Sequence, residues 1–535
     1  MKKLSTLILL TFFGFSCSNI SEDSMNPFFT DYDAPYQIPP FEKIKEAHYL
    51  PAFTQGMKEQ LEEIDVITGN LESPTFENTI VELERTGKTL NKVADVFFNL
   101  LSSNTNDEMD AIEAEISPKL SAHSDAISLN KKLFNRVHEV FEQRNELGLN
   151  TEQNRLVEET HKGFIRSGVQ LSEPSMEKLT QINQELSSLS VQFGQNLLKE
   201  TNEGFSLIVE DEKQLDGLPQ DYRDQAAKLA EANGHVGKWM FKPTRVSMYP
   251  FLTYSTQRDL REKLYNSYIK RGDNDNEKDN KDLAIKMADL RLQRSNILGY
   301  KTHADFVLED TMAKNTGRVK NLLDQVWKPG LARAKVEAEE MQQLIQQEGG
   351  NFKLAAWDWW HYSEKIRQLK YDFSEEEIKP YFSETKVLQG AFDVATKLFD
   401  ITFHERFDLP KYRDNIRTFE VKNLDDNVIG VFYTDYTIRS NKGGGACYDL
   451  SELQAIKKVT TAHNLGYHLD GARLFNALVH KKQNAMDYGN LFQTISVCLS
   501  KGLGAPVGSV LIGDEDIMEN AMRVRKVLGG GMRQV

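Results

Sequence analysis

The sequence predicts a mostly α-helical body with minor β structure, followed by an incomplete α/β fragment. Between residues 26 and 395, apolar side chains recur at three- and four-residue spacing with charges between them, which is typical of helices with one buried face. After about Cys447, short apolar strands alternate with helices, as in an α/β sheet. The change is abrupt and lacks the Pro/Gly/Ser linker of most domain junctions. We therefore divide the chain into residues 1–17, 18–447 and 448–535.

The composition is that of a soluble globular protein and narrows the classes of partner. A chain of 535 residues is long enough for two or more domains with sizeable cores. Its net charge of −14 argues against nucleic acid or an anionic membrane surface as a partner, because both require clustered Lys and Arg. Cys17, Cys447 and Cys498 are too few for a disulfide framework and include no C-x-x-C pair.

The N-terminus has the pattern of a bacterial secretion signal. Lys2 and Lys3 precede an apolar run over residues 7–15, and Ser16 and Cys17 follow it. A basic start, a short apolar run and a small residue before a cysteine predict a signal of the lipoprotein type, with Cys17 as the lipidated residue. The run is too short to span a bilayer. We expect export to the periplasm or outer membrane, with membrane attachment only through this lipid anchor.

Within the helical body, the periodicity predicts long helices and a few interruptions. Helices are expected over residues 80–102, 176–201 and 320–347. Residues 204–209 predict a strand, and residues 417–437 alternate as a hairpin with turn chemistry at 425–427. Residues 271–281 are polar and predict a poorly packed loop.

The C-terminal part predicts helices and strands in alternation. Helices are expected over residues 451–462, 474–480 and 514–528, and strands over residues 467–470, 494–500 and 509–513. This order places Asp470 and Lys501 at the carboxyl ends of two strands. Ligands of α/β proteins bind at that edge of the sheet.

Several short segments of the helical body occur in the same order as in one peptidase family. They include Pro40-Phe41-Glu42-Lys43-Ile44, Phe164-Ile165-Arg166-Ser167-Gly168, Leu298-Gly299-Tyr300, Trp357-Asp358-Trp359-Trp360 and Phe432-Tyr433-Thr434-Asp435-Tyr436. Over about residues 26–447 the chain thus resembles the M3 family of zinc oligopeptidases, particularly the bacterial peptidyl-dipeptidases. The resemblance implies a clam-shaped helical body around a deep channel that admits short peptides, and a catalytic zinc ion.

The zinc ligands of such a peptidase have no counterpart in the sequence. A zinc helix of this kind carries two histidines four residues apart, with a glutamate between them as general base. None of the eleven histidines lies four residues from another, and His463 and His468 are five apart. His138 and His404 are each followed by a glutamate but not by the rest of the motif, so we expect surface helix or loop positions. We therefore predict no metal ligands and a body truncated before the zinc helix.

Three motifs in the last part of the chain belong to a different family. They are His-Leu-Asp-Gly-Ala-Arg from His468, Ser-Lys-Gly-Leu-Gly-Ala-Pro around Lys501, and the run from Arg525 to Gln534 with three glycines. Over about residues 450–535 the chain resembles the threonine aldolases, which are pyridoxal-phosphate enzymes of fold-type I in the aromatic β-eliminating lyase superfamily. The resemblance implies pyridoxal 5′-phosphate as cofactor, an amino acid as substrate and a homo-oligomer.

The resemblance implies a chemical role for each residue of this motif set, and these roles are expectations. Lys501 supplies the amine that holds the cofactor aldehyde. Asp470 faces the pyridine nitrogen and keeps it protonated, and Arg473 resembles the arginine that binds the substrate carboxylate. Arg533 lies near the phosphate or the substrate. His468 is counted with the cofactor-binding residues and packs or orients rather than catalyses.

Three functions remain open on the sequence alone. The first is a composite of a zinc-less peptidase body and a partial lyase, arising from a gene fusion, a degraded gene or a misjoined reading. The partial lyase lacks the phosphate-binding turn and ring-stacking histidine of its family, and we expect no small domain after Arg533. The second is a pyridoxal-phosphate lyase that cleaves threonine or allo-threonine to glycine and acetaldehyde, for which a cytoplasmic location would be expected. The third is a non-catalytic peptide-binding protein.

Overall fold

The computed structural model describes residues 26–371, 381–436, 468–470, 494–498 and 509–513, and over these the chain is mostly helical. The helices are α1 (Tyr49–Gly69), α2 (Glu82–Arg85), α3 (Lys88–Asn104), α4 (Asp107–Ser128), α5 (Lys131–Gln143), α6 (Thr151–Ser167), α7 (Glu173–Glu203), α8 (Gln220–Ala232), α9 (Arg245–Tyr254), α10 (Arg258–Ile269), α11 (Lys281–Ile297), α12 (His303–Glu309), α13 (Thr316–Gln347), α14 (Trp359–Tyr371) and α15 (Glu384–Phe399). None of the helices in this described part is long and apolar enough to span a bilayer.

The strands form three small sheets. They are β1 (Leu207–Val209), β2 (Trp239–Phe241), β3 (Thr402–Arg406), β4 (Arg417–Lys422), β5 (Val428–Thr434), β6 (His468–Asp470), β7 (Thr494–Cys498) and β8 (Ser509–Gly513). The sheets are the antiparallel pair β1-β2, the antiparallel sheet β3-β4-β5, and β6-β7-β8, in which β6 is parallel to β7. The strand predicted over residues 204–209 is confirmed as the shorter β1, and the hairpin predicted over residues 417–437 is confirmed as β4-β5. Strand β3 was not predicted.

The helix predicted over residues 80–102 is wrong in its continuity. A π-helix from Phe76 to Val81 leads into α2, and α3 begins only after Gly87. Gly87 adopts a φ of +78°, and a Cβ there would lie 2.5 Å from the Gln60 Nε2 atom. A residue with a side chain would be strained in this conformation and would clash with Gln60. The left-handed glycine therefore divides the predicted helix, while α7 and α13 contain the other two predicted helices.

Apolar packing joins the first helices into one layer. Phe53 of α1 and Phe97 of α3 are fully buried, and their rings meet edge to face with centroids 5.4 Å apart. Ile116 of α4 completes the same core. Helix α7 then packs along α4 and, through Leu186 and its neighbours, against α11. The long α7 is thereby fixed along its length, which determines where its last turn lies.

A second core holds α10 against the β1-β2 pair. Its members include Phe241 of β2, Phe251 and Leu252 of α9, and Leu260 and Leu264 of α10. All five side chains are buried. Burying a side chain of this size contributes about 1.5–3 kcal/mol, so this core supplies most of the attraction that keeps α10 in place.

A buried ion cluster fixes the direction in which α10 faces. The Asp358 carboxylate is fully buried and accepts hydrogen bonds from Arg258 Nε and Nη2 and from Arg261 Nη2, with the Nη2 contacts both at 2.9 Å. Its Oδ2 atom also accepts from the Ala355 N–H at 3.1 Å. Arg258 and Arg261 are three residues apart and so lie on one side of the helix. Every rotation of α10 that breaks these contacts would leave a buried charge without its partner.

The Asp358→Asn variant should therefore be much less stable than the wild type. Removing the negative charge leaves two guanidinium groups uncompensated, and we expect the free energy of unfolding to fall by about 3–5 kcal/mol in urea titrations. The matched control is Glu337→Gln, which breaks the exposed Arg333–Glu337 pair and should cost less than about 1 kcal/mol. Equal losses in the two variants would contradict the structural role of Asp358.

Candidate functional site

One face of α10 carries polar side chains that have no partner in the part of the chain that the structure describes. Glu262, Asn266 and Lys270 follow one another at four-residue spacing, which places them in one row along the helix. Among the described residues, none of these three side chains makes a hydrogen bond or an ion pair. Asp259 lies beside the row but is compensated by Lys263, whose Nζ atom is 4.0 Å from its carboxylate.

This row forms one wall of a cavity of about 570 Å³. Phe205, which is 45% exposed, contributes an apolar surface, and Glu200 lies at the end of α7 beneath it. The remaining lining residues are Gly204, Pro243, Asp259, Lys263, Ser267, Asn274 and Asn276. A cavity of this volume is within the range of small-ligand sites.

Glu200 organises the cavity from below. Its side chain is buried, and its carboxylate accepts from the Gly272 N–H, from Asn274 Nδ2 at 2.6 Å and from Asn276 Nδ2 at 3.0 Å. Gly204 follows at the C-cap of α7, and a Cβ there would lie 2.3 Å from the Glu200 carbonyl oxygen. Only glycine therefore allows the chain to pass so close to the Glu200 main-chain carbonyl at the end of α7.

The pKa of Glu200 follows from these contacts. Burial alone would raise the pKa of the carboxyl group, but the three N–H donors outweigh burial and lower the pKa below its ordinary value. Glu200 is therefore ionised at neutral pH. Because its oxygens already accept from protein donors, it supports the loop rather than offering a free ligand.

The loop over residues 271–281 is polar, as predicted, but it is held by many specific contacts. Besides the bonds to Glu200, the Lys281 Nζ atom lies 2.8 Å from Asp273, 2.7 Å from Asp275 and 2.8 Å from Asp279. Asn280 Nδ2 donates to the Phe193 carbonyl at 3.1 Å and ties the end of the loop to α7. The expectation of poor packing was wrong because a buried carboxylate and an internal ammonium replace an apolar core here.

The structure describes only part of the predicted cofactor site. His468 and Asp470 are the first and last residues of β6, and their Cα atoms pair with those of Thr494 and Ser496 in β7. Because the two strands are parallel, both end at the same edge of the sheet, and Lys501 follows three residues after the end of β7. Lys501, Arg473, Arg533 and Cys17 lie outside the described residues. Their roles stay predictions.

The described ranges contain no arrangement of side chains suited to zinc. In them, no group of three His, Cys, Asp or Glu residues is placed to hold a metal ion. His138 on α5 contacts His161 of α6, with Nδ1 3.0 Å from Nε2. His404 lies on β3, within 3.0 Å of the Thr402 hydroxyl, so the loop or helix expected there is a strand. We derive no catalytic step through zinc.

The residues of the cavity were not singled out from the sequence. The polar row Glu262, Asn266 and Lys270 gives a spacing signal, but every exposed helix face carries similar residues. The contact of Glu200 with Gly272 joins positions 72 residues apart in the chain. A single sequence contains no signal for that contact.

The cavity lies against α10 in a mostly helical body, and ligand pockets of helical proteins commonly lie between helices. Residues 251–468 match the model of peptidase family M3, and this range includes α10 and the following loop. The chain is 35% identical over 424 residues to dipeptidyl carboxypeptidase of Salmonella typhimurium, and the match covers 79% of this chain and 62% of that protein. It is 30% identical to oligopeptidase A of Haemophilus influenzae, covering 77% of this chain and 61% of that protein.

The helical body is thus similar in sequence to members of the M3 peptidase family. The chain spans about three fifths of the length of the peptidases that it matches. A separate similarity relates it to low-specificity L-threonine aldolase 1 of Arabidopsis thaliana, with 38% identity over 140 residues, 22% of this chain and 37% of that protein. The chain is thus similar to members of two enzyme families.

The Glu200→Gln variant should loosen the loop beneath the cavity. The amide offers one acceptor where the carboxylate offers two charged ones, and we expect a loss of about 1–3 kcal/mol in the free energy of unfolding. Hydrogen exchange at residues 272–280 should rise in the variant. Because the pKa of Glu200 is lowered in the folded state, its stabilisation is present above the ordinary carboxyl pKa and is lost as the pH falls through the folded value.

The control for this variant is Glu185→Gln, which removes an exposed partner of Lys286 earlier on α7, where neither residue belongs to the loop. It should leave exchange in the loop close to that of the wild type. Unchanged exchange in Glu200→Gln would show that the buried carboxylate does not order the loop.

Proposed function

We propose that the helical body binds short peptides, as a body of the M3 oligopeptidase type. The observation that carries this proposal is the cavity against the unpartnered row of α10, which lies largely within the residues that match the family. Two of the relatives are named dipeptidyl carboxypeptidase and oligopeptidase A. This chain spans only part of the length of these relatives. The proposal therefore covers peptide binding and not their whole activity.

The chemistry of the cavity supports a peptide as ligand. A peptide offers backbone N–H and C=O groups and two terminal charges. The amide of Asn266 can donate to a carbonyl and accept from an N–H, while Glu262 and Lys270 offer one charge of each sign. Phe205 provides an apolar surface for a peptide side chain. Nucleic acid or a lipid headgroup would instead need a surface with clustered cations.

Binding without hydrolysis is the second part of the proposal. Peptide hydrolysis by this family depends on zinc, and the sequence contains no two histidines four residues apart. We further propose that the signal at the N-terminus exports the protein and that Cys17 is lipidated. A peptide-binding protein in the periplasm would then encounter short peptides released by other peptidases.

The full chain should bind tri- to hexa-alanine saturably without cutting them. The limited number of contacts sets an expected Kd on the order of 0.1 mM, measured by isothermal titration calorimetry. Mass spectrometry of the peptides should find no cleavage products, and metal analysis should find far less than one zinc ion per chain. Free alanine is the matched control, since it cannot span the polar row. One tight zinc per chain together with cleavage would contradict the proposal.

A lyase is the second candidate function, and the parallel register of β6 and β7 favours it. In this register β6, which ends at Asp470, and β7, which comes shortly before Lys501 in the sequence, end at the same edge of the sheet. Pyridoxal phosphate, when bound, supplies an electron sink for breaking a bond at the amino-acid α-carbon. Lys501 would hold the cofactor, Asp470 would keep its ring nitrogen protonated, and Arg473 would bind the substrate carboxylate.

Addition of pyridoxal phosphate and then borohydride tests this candidate. We expect weak covalent labelling of Lys501, because the phosphate-binding helix N-terminus of the family has no counterpart in the sequence. The Lys501→Ala variant should remove the label, whereas Asp470→Asn should leave labelling largely intact. Release of glycine from threonine by the wild type, lost in Lys501→Ala, would establish the lyase. Equal labelling of Lys501→Ala would exclude a specific site.

A further inference from the structure

The polar row of α10 is polarised along the helix axis. Glu262 and Lys270 are the two charged side chains of the row, and Asn266 lies midway between them. Neither charge has a partner among the described residues, whereas the neighbouring Asp259 and Lys263 compensate each other. The cavity therefore presents one uncompensated anion and one uncompensated cation at opposite ends of its helical wall.

The distance between these charges selects a ligand by its length. Eight residues of helix rise by about 12 Å between Glu262 and Lys270. An extended peptide spans about 3.3–3.6 Å per residue, so that three residues reach about 10 Å and four reach about 14 Å. The terminal ammonium and carboxylate of a tri- or tetrapeptide are thus about as far apart as the positions of Glu262 and Lys270 along the helix axis.

We propose that the cavity binds zwitterionic tri- and tetrapeptides in one direction. The peptide's ammonium group pairs with Glu262, its carboxylate pairs with Lys270, and the Asn266 amide hydrogen-bonds a central peptide group. This inference rests on the proposed peptide-binding function and adds the substrate class and its orientation. A dipeptide is too short to reach both charges, and a longer peptide must leave the cavity with one terminus.

Capped peptides test the two ends separately in the full chain. Tetra-alanine with free termini is compared with its N-acetylated form and its C-terminal amide by isothermal titration calorimetry. Each cap should weaken binding to the wild type about twofold to fivefold, the range of a solvent-exposed ion pair. Among free peptides, tri- and tetra-alanine should bind more tightly than the dipeptide and the hexapeptide.

Two variants identify which residue meets which terminus. Glu262→Gln should weaken the free peptide and its amide about twofold to fivefold, with no further loss for the acetylated peptide. Lys270→Gln should show the mirror pattern, with no further loss for the amide. Lys228→Gln and Glu231→Gln, both on the exposed face of α8, are the matched controls and should change none of these affinities.

The outcomes separate this inference from the function on which it rests. Tetra-alanine that binds equally to the wild type and both variants would overturn the orientation and leave peptide binding intact. If Glu262→Gln instead weakened binding of the acetylated peptide and left the affinity for the amide unchanged, the assigned direction would be overturned. Absence of binding for every length and cap would overturn the proposed function and this inference together.

Discussion

The contact of Asp358 with two arginines of α10 is the constraint on which the cavity depends. Apolar burial of Leu260 and Leu264 holds α10 against its neighbours, but apolar packing alone tolerates small rotations of a helix. A buried carboxylate between Arg258 and Arg261 does not, because each hydrogen bond has a defined direction. The ion cluster thus contributes orientation more than net stability, since burying its charges has a large desolvation cost. The row Glu262, Asn266 and Lys270, which follows Arg258 at four-residue spacing, is therefore directed into the cavity.

Glu200 is also a buried carboxylate, but its charge is stabilised by neutral hydrogen-bond donors. A second buried carboxylate at the end of α7 is stabilised by one backbone N–H and two asparagine amides instead of a guanidinium. Amides stabilise the negative charge without adding a cation to the cavity. The loop next to α10 is consequently fixed while its internal ammonium, Lys281, is fully engaged by three carboxylates. Along α10, the charged lining residues without an ion pair in the described part of the chain are Glu262 and Lys270.

The sequence predicted the helices better than it predicted the cavity. Periodicity found α7 and α13 and the hairpin β4-β5, because these elements follow from spacing within one segment. It missed the break at Gly87, which adopts a left-handed conformation and lies against Gln60 of α1. It also missed the role of Glu200, whose partners are more than 70 residues away. Spacing patterns within one segment predict helices and turns. A site formed by distant segments depends on tertiary packing, which cannot be inferred from a single sequence.

The predicted cofactor residues differ from the cavity residues, because sequence motifs identified them. Asp470 and Lys501 were singled out by motif, and the parallel pairing of β6 with β7 gives their strands a common edge. Among the described strands, β7 lies between β6 and β8. Activity of a lyase site also requires donors for the phosphate, which motifs around Lys501 do not supply. The peptide cavity differs because its walls, floor and free charges all come from segments that pack against one another. Peptide binding is therefore proposed on contacts among described residues, whereas the lyase is proposed on motifs and one strand register.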